Sequence, residues 1–150
     1  LVMKGYYQDP QRTAEVIRDG WLHTGDLGHL DENGYLYLTG RLKDLIITGG
    51  FNVYPAEVEQ VIWAHPAVED CAVIGAPDDD WGERVTAVVE LKPGLSVDGD
   101  ELKLRCRTAL GPVRAPKDVV FVERLPRSVN GKVLKKDVRA TFWAEHDRVI

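Results

Sequence analysis

Residues 40–57 read Gly-Arg-Leu-Lys-Asp-Leu-Ile-Ile-Thr-Gly-Gly-Phe-Asn-Val-Tyr-Pro-Ala-Glu. The opening is charged, with Arg41, Lys43 and Asp44. Leu45-Ile46-Ile47 is short, apolar and β-branched, the signature of a buried strand. Gly49-Gly50 breaks the run, and paired glycines mark a tight turn or a close backbone approach. Phe51 to Tyr54 can form the return strand. Pro55 suits the first position of a helix, and Glu57 puts a carboxylate in the first turn, where the helix dipole favours it. A charged connector thus feeds a hairpin with glycines at its tip, and the hairpin feeds a helix.

Downstream, the helix is expected to run from Pro55 to about Trp63, with Val58, Val61 and Ile62 on one face and His65-Pro66 as its stop. Val68 to Ala76 reads as a strand. Pro77 to Gly82 reads as an acidic loop. Val85, Ala87, Val89 and Leu91 alternate with Arg84, Thr86, Val88 and Glu90, a period-2 strand in which Val88 is the imperfect position. Asp98 or Asp100 caps the next helix, whose apolar face is Leu102, Cys106, Ala109 and Leu110. Gly111-Pro112 ends it. Val119 to Val122 reads as a short buried strand, Asn130-Gly131 as a turn, and a last helix starts near Lys135 with Leu134, Val138 and Phe142 spaced by four. The fold class is α+β: a small mixed or antiparallel sheet packed with about three helices.

Upstream, Thr13 reads as the N-cap of a short helix over Ala14 to Ile17, and Asp19-Gly20 turns the chain into a strand from Trp21 to Thr24. Leu27 to Leu30 and Tyr35 to Leu38 bracket the turn residues Asp31 to Gly34, a hairpin signal. Tyr35-Leu36-Tyr37-Leu38 is apolar at every position, so both its faces need cover. The opening, Leu1 to Tyr7, has the look of a sequence already in progress, as in the C-terminal part of something longer.

The 150 residues suffice for one domain, or one domain and part of another. With 44% hydrophobic and 29% charged residues the composition is ordinary for a globular protein. A formal net charge of -5 disfavours general nucleic-acid binding. No apolar run approaches the roughly 20 residues of a membrane span. Cys71 and Cys106 stand far apart and read as buried thiols of a reducing, cytoplasmic compartment. The four histidines are scattered, so no metal site is expected.

Three stretches carry a resemblance. Residues 40–57 are similar to the hinge motif of the adenylate-forming superfamily, which holds acyl-CoA synthetases, peptide-synthetase adenylation domains and luciferases. Thr24-Gly25-Asp26 resembles the family's Thr-Gly-Asp. Pro126-Arg127-Ser128-Val129-Asn130-Gly131-Lys132-Val133-Leu134-Lys135-Lys136 resembles its catalytic-lysine loop. The three occur in family order. Lys43 and the Gly-Gly-Phe-Asn-Val-Tyr-Pro run resemble fatty-acyl-CoA synthetases more than peptide synthetases, which carry Asp at the hinge.

The resemblance implies the following. Residues 1–42 are the β-rich tail of a large AMP-binding domain, and residues 43–150 are the mobile C-terminal lid. The reaction joins a carboxylic acid, by resemblance a fatty acid, to coenzyme A through an acyl-adenylate made from ATP, releasing AMP and pyrophosphate. Asp26 and Arg41 hold the ribose. Lys43 is the hinge. Gly49 and Gly50 form the hairpin tip beside the thiol channel. Lys132 is the adenylation lysine. Magnesium, the phosphate loop and the acid pocket belong to the N-terminal domain, which is the lid's partner, so the isolated chain is expected to be inactive. Each residue also has a plainer reading: Asp26 in a Gly-Asp turn, Arg41 and Lys43 on a solvated surface, Lys132 in a basic run with Lys135 and Lys136. The alternative function is a non-enzymatic, free-standing lid-like module that binds nucleotide, coenzyme A or a protein.

Overall fold

The computed structural model describes residues 2–146; Leu1, where the unusual opening begins, lies outside them. The chain gathers into two units, one ending at Lys43 and the other beginning at Asp44.

The first unit starts with α1 (Pro10–Val16). Its cap is Asp9, whose carboxylate accepts from the Arg12 amide at 2.9 Å, and Pro10 supplies a preset φ at the first turn. The helix therefore begins before the expected cap, and Thr13 lies inside it. The Thr13 hydroxyl instead donates to the Asp9 carbonyl at 2.7 Å and accepts from the Tyr6 amide at 2.9 Å. Ile17 belongs to β1 (Ile17–Arg18), which pairs with β2 (Trp21–Leu22) around Asp19-Gly20. β3 (Asp26–Leu30) and β4 (Leu36–Arg41) form the expected hairpin, with Asp26 opposite Arg41. The Asp31 carboxylate fixes its turn by accepting from the amides of Asn33 and Tyr35, each at 2.9 Å. Trp21, Leu30, Tyr35, Leu36 and Leu38 are exposed. A single 3-10 turn, Leu42–Asp44, carries the chain onward.

The second unit is built on a five-stranded sheet. β5 (Ile46–Thr48) and β6 (Phe51–Val53) make the glycine-tipped hairpin, and α2 (Pro55–Trp63) follows it. β7 (Val68–Asp78) and β8 (Gly82–Leu91) are long antiparallel partners. The acidic loop is thus smaller than its sequence suggested: Pro77 and Asp78 extend β7, and the Asp78 carboxylate closes the turn by accepting from the amides of Asp80 and Trp81 at 3.1 and 3.0 Å. α3 (Gly99–Leu110) is capped by Asp98, which accepts from the Asp100 amide at 2.9 Å. β9 (Asp118–Val122) adds to β8 in parallel, and α4 (Lys135–His146) ends the unit. The strand order is β6-β5-β8-β7, with β9 also on β8.

Both faces of the sheet are covered. Cys71, Val73, Val85, Ala87 and Val89 point to one core with Val58 and Ile62 of α2 and Leu102 and Cys106 of α3. Ala72, Ile74, Ala76 and Val88 point to a second core with Leu125 and Val138 of α4, against which Phe142 also packs. Val88 is therefore no defect in a period-2 pattern. It serves the face that α4 covers, and strands buried on both faces become continuously apolar. Two expectations give way. Val120 and Phe121 of β9 are exposed, because β9 is an edge strand, and Ala109 of α3 is exposed, leaving a narrower apolar stripe than the sequence pattern offered.

Candidate active site

Pairing of β3 with β4 brings Asp26 and Arg41 together. Arg41 Nε lies 3.0 Å from Asp26 Oδ1. The Asp26 amide donates to the Thr24 hydroxyl at 3.1 Å, and the Gly25 carbonyl accepts from the Leu42 amide at 2.8 Å, so Thr24-Gly25-Asp26 is tied to the end of β4. An exposed ion pair of this kind contributes on the order of 0–1 kcal/mol to stability. Its stronger effect is orientation: one carboxylate oxygen is engaged, and the carboxylate as a whole is aimed. Two residues on, Lys43 is exposed within the 3-10 turn, and among the described residues no carboxylate pairs with it.

The glycine tip has the conformation that the sequence demanded of it. Gly49 and Gly50 have φ of 54° and 82°, and Thr48 pairs with Phe51 across them, a two-residue hairpin turn of the kind that needs positive φ twice. The Gly49 amide donates to the Trp81 carbonyl at 2.9 Å. A Cβ at Gly49 would stand 2.2 Å from the Trp81 ring, whereas at Gly50 it would meet nothing within 4 Å. Gly49 is thus packed and Gly50 is open. Trp81, which has no role in the sequence reading, covers Gly49.

Lys132 stands on the rim of the Asn130-Gly131 turn. The Gly131 amide donates to the Ser128 carbonyl at 2.9 Å, and the Ser128 amide donates to the Lys132 carbonyl at 2.8 Å. The Ser128 hydroxyl accepts from the Lys132 amide at 3.2 Å. Lys132 is exposed, and among the described residues no acceptor engages its ammonium. Its neighbour in the basic run behaves differently. Lys135 Nζ is 2.7 Å from Glu59 Oε1 and 2.8 Å from Glu59 Oε2.

Glu59 escaped the sequence reading. It sits on α2 and is buried, and its carboxylate also accepts from the Val73 amide at 2.8 Å. Val73 lies on β7, an edge strand, so this carboxylate satisfies an amide that no neighbouring strand reaches. Glu83 was likewise unassigned. It accepts from the Ile47 amide of β5 at 2.8 Å and pairs with Arg139 of α4, and its carboxylate lies where a Cβ at Gly75 would be. Arg84 pairs with Asp118 at 3.0 Å. Among the described residues no group of three His, Cys, Asp or Glu side chains could hold a metal ion. Among the described residues no helix is long and apolar enough to cross a membrane.

The family described as AMP-binding enzyme C-terminal domain matches residues 57–132, from the first turn of α2 to the lysine itself. The chain belongs to that family. A feruloyl-CoA synthase of Amycolatopsis is 52% identical over 94% of the chain, and a medium/long-chain-fatty-acid–CoA ligase of Mycobacterium tuberculosis is 46% identical over 100% of it. The chain spans only 29% and 28% of those two proteins. ATP-bound MatB from Rhodopseudomonas palustris has the same fold, with a TM-score of 0.84 and 47% identity over 93% of the chain and 28% of that protein. The AMP-binding C-terminal fold of these proteins is the mixed sheet and helices described above.

Proposed function

We propose that the chain works as the C-terminal part of an acyl-CoA synthetase, an acid–thiol ligase that makes an acyl-adenylate and then a thioester. The observation that carries this reading is Lys132. It is a cation on the rim of a closed turn that no acceptor engages among the described residues, it ends the stretch that matches the family, and it differs from Lys135, which is consumed by Glu59.

In the first half-reaction a carboxylate oxygen of the acid attacks the α-phosphorus of ATP, an O–P bond forms, and pyrophosphate leaves. Negative charge builds on the oxygens around phosphorus, and a fixed ammonium beside them stabilises it. Lys132 supplies that ammonium. Asp26 accepts from the ribose hydroxyls, and Arg41 aims Asp26 while its remaining donors face the sugar. In the second half-reaction the coenzyme A sulfur attacks the acyl carbon and AMP leaves. Gly49 and Gly50 then give the pantetheine chain a backbone wall without side chains. Lys43 is the pivot between the two arrangements, and residues 1–42 and 43–150 are the parts that it joins. Among the described residues no side-chain cluster could hold magnesium, which would be bound by the N-terminal part of the longer chain. The acid is a carboxylic acid of unspecified class, since the matched relatives carry both feruloyl and fatty-acyl names. Two buried free thiols, Cys71 and Cys106, fit a reducing, cytoplasmic setting.

The test is acid-dependent pyrophosphate release with ATP, magnesium and coenzyme A. The isolated chain stays at background. A longer chain containing it turns over, and Lys132→Ala in that longer chain slows pyrophosphate release roughly a hundred- to a thousand-fold. Robust turnover by the isolated chain, or a fully active Lys132→Ala ligase, overturns the proposal.

A further inference from the structure

The Arg127 side chain ties the turn that presents Lys132 to two strands of the sheet. Arg127 Nη1 lies 2.7 Å from Asp70 Oδ2, and Arg127 Nη2 lies 3.2 Å from Glu90 Oε2. Asp70 and Glu90 are register partners across β7 and β8, so the guanidinium spans both strands. The same Nη1 donates to the Gly131 carbonyl at 3.3 Å, the residue just before Lys132. The acceptors are themselves held. Asp70 Oδ1 accepts from the Cys71 amide at 2.8 Å and the Trp63 indole at 3.0 Å, and Glu90 Oε2 accepts from the Leu125 amide at 2.9 Å. The two carboxylates are only 19% and 14% exposed, so these ion pairs are less screened than pairs on open surface.

The loop itself is stiff. The Ser128 amide donates to the Lys132 carbonyl and the Leu134 amide to the Pro126 carbonyl, each at 2.8 Å, and Arg127 forms a bridge with Val133. Residues 126–134 therefore move as one small hairpin, and a tilt at its base becomes a displacement at its tip. A fork with two arms on two strands and a third contact to the tip is suited to stopping that tilt, as a planar guanidinium can do and an ammonium cannot.

We propose that Arg127 is the positioning residue of the adenylation step: braced on Asp70 and Glu90, it sets where the Lys132 ammonium stands. This rests on the reading of Lys132 as the adenylation lysine. Arg127 touches no substrate, and its effect passes through the Gly131 carbonyl. A misplacement of about 1 Å in such a group costs roughly a hundred-fold in rate.

The test uses the full-length ligase that carries this chain, with Lys132→Ala, Arg127→Met and Arg127→Lys assayed in each half-reaction separately. Arg127→Met lowers kcat for adenylation about a hundred-fold while the KM for ATP changes little, the signature of lost transition-state contact rather than lost binding. Conversion of pre-formed acyl-adenylate to thioester stays within about two-fold of normal, which general unfolding would not allow. Arg127→Lys keeps the charge beside Asp70 and loses the fork, and it recovers about ten-fold of the loss. If Lys132→Ala slows adenylation while Arg127→Met leaves it intact, the positioning role is wrong and the lysine assignment stands. If Lys132→Ala leaves adenylation intact, the underlying reading is wrong. Should Arg127→Met not fold, Arg127→Lys decides alone: a loss confined to adenylation supports the role, and no loss, or equal loss in both halves, overturns it.

Discussion

Trp81 closes over Gly49: the indole ring occupies the space where a side chain at Gly49 would begin, 2.2 Å from the position of its Cβ, and the Trp81 carbonyl accepts the Gly49 amide at 2.9 Å. The two neighbouring glycines are therefore unequal. Gly50→Ala meets only the backbone penalty of a left-handed conformation, about 1–2 kcal/mol. Gly49→Ala meets that penalty and the indole as well, for a total of about 2–4 kcal/mol. The excess is expected to vanish in a Trp81→Ala background, where the ring no longer stands in the way. Urea unfolding of the four chains, compared as a double-mutant cycle, measures this directly. An equal cost for Gly49→Ala with and without Trp81 contradicts it.

Glu59→Ala is expected to be the most damaging single truncation of a charged residue in the second unit, at about 3–5 kcal/mol. Two groups lose their partner at once, the Lys135 ammonium and the Val73 amide. Replacing Glu59 and Lys135 together by Met does not restore stability, because the Val73 amide on the β7 edge stays unsatisfied. Denaturant midpoints of the single and double variants provide the check; a double variant as stable as the parent contradicts the account.

Burial explains why some of this was legible in the sequence and some was not. The β5–β6 hairpin and the start of α2 were readable because Gly49-Gly50 and Pro55 act through backbone geometry, which is local. The pairing of Asp26 with Arg41 was not readable locally, since it depends on the register of a hairpin. Glu59 was hidden because a carboxylate on a helix is usually solvated, and its partners Val73 and Lys135 lie far along the chain. β9 was misjudged for the opposite reason. Four apolar residues in a row look buried, and only the sheet order shows that β9 is an edge. The helix α1 began early because an Asp-Pro pair gave cap and first turn together, a stronger signal than Thr13 alone.

Stability should fall in alkali through the cysteines. Burial pushes the Cys106 thiol up to about 11 from an ordinary value of 9.0, and pushes Cys71 up further, with the Glu59 carboxylate adding to it. A folded pKa above the unfolded one means that the folded state favours the neutral thiol. The contribution is complete below about pH 9 and is lost as pH rises from about 9 to 11, where the unfolded chain ionises first. For Cys106 alone the loss is at most about 3 kcal/mol. Cys106→Ala should flatten that part of the stability–pH curve, whatever it does to the absolute value. Thiol titration of the native chain at pH 8 should find both cysteines unreactive and of the unfolded chain find both reactive. Fast labelling of Cys106 in the native state contradicts the burial account.

The two half-reactions should separate by mutation in the full-length ligase. The proposal assigns Lys132 to the first and the Gly49-Gly50 tip to the second, with Lys43 as pivot. Lys132→Ala removes a transition-state charge contact of about 3–4 kcal/mol, roughly a hundred- to a thousand-fold in adenylation, and leaves thioester formation from pre-formed adenylate near normal. Gly50→Leu does the reverse. The open space around Gly50 means that a leucine can be accommodated at the tip, at a backbone cost of about 1–2 kcal/mol, without disturbing the core. Its side chain then stands in the space assigned to pantetheine, so adenylate forms and accumulates. Lys43→Pro fixes φ within the 3-10 turn. If Lys43 must change its backbone between the two arrangements, this variant keeps whichever half-reaction suits the fixed angle and loses the other. Quenched-flow assays of pyrophosphate release and of thioester formation in the three variants decide it. A Lys132→Ala ligase slowed equally in both halves makes the lysine structural, and a Gly50→Leu ligase that still converts adenylate at the normal rate removes the hairpin tip from the thiol's path.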